Sequence, residues 1–177
     1  MEGKIVIQVL VLAGLGVVLV EDLKHRAVSW FVFPVLAVLF ILLAAQTLPF
    51  SEAIMNWSLN IAFIGFQLLF LVGYFSLKER KLSPVVSQYL GWGDICFWLA
   101  AAAYFTFAGF IFYFLGSLLV ALILHLLFRQ LIPLRYSKTI PLAGWQALVL
   151  IFIIGAQIFS PQVSFDAESF IYQQLIA

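Results

Sequence analysis

The chain has 177 residues, of which 65% are hydrophobic and 10% are charged, and its mean hydropathy is +1.14. A water-soluble domain of this length carries more charge and less apolar content, so lipid must be the solvent for most of these side chains. The net charge of +1 gives no reason to expect nucleic acid as a partner.

Apolar runs separated by charged or proline-containing connections predict an all-α, polytopic membrane protein with six transmembrane helices. The first run ends at an acidic and basic cluster that begins with Glu21, and the second contains Pro34, which a membrane helix tolerates when neighbours satisfy the freed carbonyl. We expect residues 1–177 to form a single membrane-embedded domain. The predicted spans are 5–20, 27–46, 54–75, 94–107, 110–128 and 141–159.

The stretch 95–128 contains no charged residue. As one helix it would be about 51 Å long, whereas the hydrocarbon core of a bilayer is about 30 Å thick. We therefore expect two spans, with a turn near 106–109. The first of the two is short, which predicts that Asp94 at its start lies below the membrane surface, in a recess open to water.

Basic residues near span ends predict the orientation in the membrane. Six spans place the connections after the first, third and fifth on one side, and this side carries eight of the nine Lys and Arg residues. We expect that side to be cytoplasmic and both termini to be outside, in the cell membrane. The eight residues are Lys24, Arg26, Lys78, Arg80, Lys81, Arg129, Arg135 and Lys138.

Two aspartates fall on this cytoplasmic side, Asp22 at the end of the first span and Asp94 at the start of the fourth. Two carboxyls near one water can perform aspartic-protease chemistry, because like charges at short range do not both ionise easily. The ionised group takes a proton from water, while the protonated one polarises the scissile carbonyl. Gly91 and Gly93 would allow the backbone to approach the other aspartate or an extended substrate closely.

Other interpretations use the same residues. Asp94 at a helix start is equally well explained as an N-cap, and Asp22 as an ordinary interfacial charge. In a small transporter, acids within a membrane protein would be proton or ion sites. We expect no metal site and no cofactor, because Cys96 is the only cysteine and His25 and His125 are isolated.

The residues resemble a known family at three places. Gly91-Trp92-Gly93-Asp94 matches the G-x-G-D motif of membrane aspartic peptidases. The segment that begins at Asp22 and contains Arg26 and Val28 resembles the D-x-x-x-R-x-I segment of type IV prepilin peptidases. Ile140-Pro141-Leu142-Ala143-Gly144 resembles the I-P-F-G-P segment of that family more loosely.

This resemblance implies an endopeptidase that removes a short basic leader peptide from prepilin-like or pseudopilin-like proteins at the cytoplasmic face, commonly after a glycine. Asp22 and Asp94 would be the catalytic pair, and no methylation activity is expected, because the paired C-x-x-C motifs of larger members are absent. A catalytically inactive relative that acts in pilus or secretion assembly is the alternative. The sequence departs from the family at Ser29 and Trp30, where Pro-Asn is usual, and at Cys96, where lysine is common.

Overall fold

The computed structural model describes residues 2–79, 90–131 and 141–159, without the side chains of Glu2, Glu79 and residues 128–131. Six helices and no strand occur in these ranges, so the all-α prediction is confirmed. Arg80, Lys81, Arg135, Lys138 and Ile140 lie outside the described residues. The helices are α1 (Glu2–His25), α2 (Val32–Ala44), α3 (Phe50–Glu79), α4 (Trp92–Ala101), α5 (Phe107–Leu131) and α6 (Leu142–Phe159).

Four of the helices, α1, α3, α5 and α6, are long and apolar enough to cross a membrane. The 13 residues of α2 and the 10 residues of α4 correspond to helices of about 20 Å and about 15 Å, so the number of six crossings stays a prediction. Large apolar side chains on the outside of the bundle are exposed, as lipid-facing residues are. They include Phe66, Leu69, Phe112, Leu119 and Phe152.

The second helix begins at Val32, five residues later than the predicted start at position 27. Arg26 ends α1 in the left-handed conformation, with φ of 56°, and its N–H donates to the Asp22 carbonyl. Pro34 consequently lies in the first turn of α2, where its missing N–H costs no intrahelical hydrogen bond.

The long uncharged stretch forms two helices, as predicted, but the break lies at 102–106 rather than at 106–109. Side chains of α3 form hydrogen bonds with backbone groups that the helices leave unpaired at this break. The Asn60 side-chain amide donates to the carbonyls of Ala102 and Phe105, at 2.9 and 3.0 Å. The Asn56 side-chain oxygen accepts a hydrogen bond from Phe107 N–H at 3.1 Å.

The core of the bundle forms where α1 packs along α2 and α6, while α4 packs on α2 and α5 on α6. Helices α1 and α2 approach closely at Gly14, where a Cβ atom would lie 2.8 Å from Leu36 Cδ2. Polar side chains in the N-terminal half of α3 contact the α4–α5 region. The largest fully buried apolar side chains include Phe40, Phe97, Phe110, Leu15, Leu36, Leu150 and Ile154.

Candidate functional site

Asp22 lies in the last turn of α1 and is almost completely buried, with 8% of its surface exposed. Its Oδ2 atom accepts a hydrogen bond from the backbone N–H of Gly144 at 2.6 Å. A carboxylate is costly to bury, so this charge-assisted hydrogen bond offsets part of its desolvation. The contact fixes the end of α1 against the start of α6.

Asp94 is the third residue of α4 and is partly buried. Its Oδ1 atom accepts a hydrogen bond from Ala143 N–H at 2.9 Å, and its Oδ2 atom accepts one from Gly91 N–H at 3.2 Å. The alternative interpretation of Asp94 as an N-cap is corrected in position, because Gly91 is the N-cap and Asp94 is the third helical residue. Asp94 instead caps two helix starts from the first turn, its own and that of α6.

Both carboxylates bind the N-terminus of α6, which begins after Pro141. The first N–H groups of a helix have no intrahelical partner and carry the positive end of the helix dipole, so they favour carboxylates. Asp94 and Asp22 accept from the successive amides of Ala143 and Gly144. Because neighbouring backbone nitrogens are less than about 4 Å apart, the two accepting oxygens lie within about 10 Å of each other.

The two carboxylates of this pair have different charged neighbours. Asp22 and Asp94 are close enough for their charges to interact, and the positive charge of Arg26 acts on Asp22. Two carboxylates whose charges interact repel each other when both are ionised, so their titrations are coupled. An electrostatic arrangement of this kind can support general acid and base chemistry on a bound water.

Glycines provide space for the aspartates at the site. A Cβ atom at Gly144 would lie 3.1 Å from Asp22 Oδ2 and 3.2 Å from its Cβ, so Asp22 occupies the room that this glycine leaves. A Cβ at Gly91 would lie 3.1 Å from Oδ2 of Asp94, whereas one at Gly93 would make only an ordinary 3.8 Å contact with Phe33. Gly91 thus approaches the aspartate of its own helix, not Asp22.

Glu21, the acid next to Asp22, has a separate structural position. Its carboxylate accepts hydrogen bonds from Ser29 N–H at 2.7 Å and Ser29 Oγ at 3.0 Å. Glu21 thus binds the α1–α2 connection, whereas Asp22 binds the start of α6. A proline at position 29 could not donate the backbone hydrogen bond, so Ser29 is part of how this chain closes the α1–α2 connection.

Ala143 and Gly144 were not among the predicted site residues. The I-P-F-G-P-like segment is the signal that could have identified them, together with the predicted six-span topology, which would put the start of the sixth span on the same side as both aspartates. Among the residues that the structure describes, no three His, Cys, Asp or Glu side chains are close enough to form a metal site. At the start of α6, backbone amides donate hydrogen bonds and the two carboxylates accept them.

A comparison with protein-family models, with curated proteins and with solved structures found no significant match to this chain. The resemblance to prepilin peptidases therefore depends on the three short motifs and on their positions along the chain.

Proposed function

We propose that this protein is a membrane aspartic endopeptidase that removes the basic leader peptide of a prepilin-like or pseudopilin-like substrate. One observation carries the proposal. Asp22 and Asp94 come from different helices and bind the neighbouring amides of Ala143 and Gly144 at one end of the bundle. The three motifs that carry the family resemblance supply these residues.

In the proposed reaction, water adds to the scissile carbonyl between the two aspartates. The ionised carboxylate accepts the proton of the water, and the protonated one donates a hydrogen bond to the carbonyl oxygen. When the tetrahedral intermediate collapses, the amine leaves with a proton from the pair. The amides of α6 hold both side chains in position throughout, which limits the reorganisation that the transition state requires.

The proposed substrate has a basic leader, a glycine before the scissile bond and an apolar helix after it. The apolar helix would lie in the bilayer beside the bundle, while the basic leader would reach the acidic site from the cytoplasm. The membrane arrangement proposed here has six crossings, in which α2 and α4 are extended by their flanking residues. The positive-inside distribution supports a cytoplasmic site.

Purified protein in lipid nanodiscs, incubated with a leader-bearing prepilin or pseudopilin, tests the proposal by the mass of the product. We expect Asp22→Asn and Asp94→Asn each to reduce kcat by at least about 10³-fold, which is within the range for loss of a general acid or base. Glu52→Gln is the matched control, because it removes an exposed carboxylate in the first turn of α3 and should cleave normally.

The competing interpretation is that the aspartates serve only as tertiary helix caps in a non-catalytic assembly protein. Cleavage by both folded asparagine variants at the wild-type rate would establish that neither carboxylate is catalytic. Proton or ion flux in the same nanodisc lipids, with no peptide product from any tested substrate, would favour a transporter.

A further inference from the structure

A second set of polar groups lies one helical turn below the aspartates. Trp98 follows Asp94 by one turn of α4, and Gln146 follows Ala143 by about one turn of α6, so both pairs lie along the same contact. Trp98 Nε1–H donates to Gln146 Oε1 at 2.6 Å. Both side chains are buried, Trp98 at 5% exposure and Gln146 at 0%.

Gln146 has hydrogen-bond partners at both ends of its side-chain amide and at its backbone carbonyl. Besides accepting from Trp98, its side-chain Nε2 donates to Ser117 Oγ at 3.1 Å, and its backbone carbonyl accepts from Tyr113 O–H at 3.1 Å. The Trp98 ring also packs edge-on against Phe114 of α5, with centroids 5.0 Å apart. An unpaired amide at this depth would be costly, so these bonds permit few alternative positions of α4 on α6.

We propose that Gln146, through its hydrogen bond with Trp98, is a positioning residue for Asp94, because it sets the register of α4 against α6. In this register, Asp94 Oδ1 lies 2.9 Å from Ala143 N. A slide or rotation of the 10-residue helix α4 would separate these two atoms and move Asp94 relative to Asp22. The kinetic test of this role rests on the proposed peptidase function. The role itself can also be tested without catalysis.

The chain contains a matched control for this role. Gln157 lies on the same helix and accepts a hydrogen bond of the same length, 2.6 Å, from the Tyr104 hydroxyl. Tyr104 lies in the break after α4, towards the opposite end of the bundle from the aspartates. Gln146→Met and Gln157→Met are therefore the same substitution on one helix, near to and far from Asp94.

We expect Gln146→Met to lower kcat between about tenfold and a hundredfold with KM unchanged, as for a small misplacement of a catalytic group. Gln157→Met should keep kcat within about twofold, because it leaves the Asp94 contact intact. A second readout needs no substrate: the infrared carboxyl band of Asp94, identified by difference from Asp94→Asn. It should shift in Gln146→Met and not in Gln157→Met.

Equal losses of kcat in the two methionine variants, or an unchanged Asp94 band in Gln146→Met, would overturn the proposal. If Gln146→Met does not fold, Trp98→Phe removes the same hydrogen bond from the other side and is judged by the same two readouts. If the wild type cleaves no leader-bearing substrate, the peptidase function fails, but the infrared comparison still decides whether Gln146 positions Asp94.

Discussion

Gly144 N–H lies 2.6 Å from Asp22 Oδ2, and the absence of a side chain on Gly144 leaves the space that the Asp22 carboxylate fills. This relationship joins residues separated by 122 positions in the chain. A hydrogen-bond donor and a steric requirement thus coincide at one residue of α6. Predictions about Gly144 can therefore be tested separately from those about the acid itself.

Gly144→Ala should displace Asp22, because the new Cβ would lie 3.1 to 3.2 Å from atoms of that side chain. We expect kcat for leader cleavage to fall by about tenfold or more, since small displacements of catalytic groups have effects of this size. Gly155→Ala is the control on the same helix, because a Cβ there would meet nothing within 4 Å. Similar cleavage rates for the two folded variants would contradict the steric argument.

Glu21→Gln should weaken the α1–α2 connection and leave the proposed catalytic pair in place. The lost charge weakens two hydrogen bonds to Ser29, which should cost about 1 kcal/mol of stability. Thermal unfolding in detergent measures this loss, and kcat should remain within about threefold of wild type because Asp22 keeps its partner.

Ser29→Ala separates the two hydrogen bonds of Glu21, because it removes the Oγ donor and retains the N–H donor. Its effect on the unfolding temperature should be smaller than that of Glu21→Gln. Complete loss of cleavage by a well-folded Glu21→Gln protein would show that Glu21 belongs to the site.

Asn60→Leu should destabilise the break between α4 and α5. The substitution leaves the carbonyls of Ala102 and Phe105 without the Asn60 amide, and two interhelical hydrogen bonds in a membrane protein contribute about 1 to 2 kcal/mol. Thermal or denaturant unfolding in nanodiscs measures the change. Ser58→Ala on the same helix removes a hydrogen bond to its own α3 backbone and should have little effect; an equal loss of stability would count against the role of Asn60.

The orientation can be measured with single cysteines in a Cys96→Ser background. Lys24→Cys should react with an impermeant thiol reagent only in inside-out vesicles, and Glu52→Cys only in right-side-out vesicles, because the positive-inside rule places them on opposite sides. Both positions are exposed. The reverse pattern would place the candidate site outside the cell and exclude a cytoplasmic leader as the substrate.

Much of the helical layout was predictable from local sequence. The absence of charge over 95–128 indicated two helices, and the structure has a break at 102–106. The predicted start of the second helix was wrong. The Glu21–Ser29 hydrogen bonds and the left-handed conformation of Arg26 hold residues 26–31 outside the helix. The apolar content of a segment does not reveal side-chain contacts of this kind.

The sequence by itself determined the all-helical class, the apolar exterior and the presence of acids at corresponding ends of two helices, because composition, apolar runs and span parity are local or additive properties. Only the tertiary structure decided that Asp22 and Asp94 both bind the N-terminus of α6. It also decided that Gly144 leaves space for the Asp22 carboxylate and that Gln146 accepts a hydrogen bond from Trp98. Each of these pairs joins distant segments. The physical reason is that a free amide or a buried amide side chain takes whichever partner the packing of the helices brings within hydrogen-bonding distance.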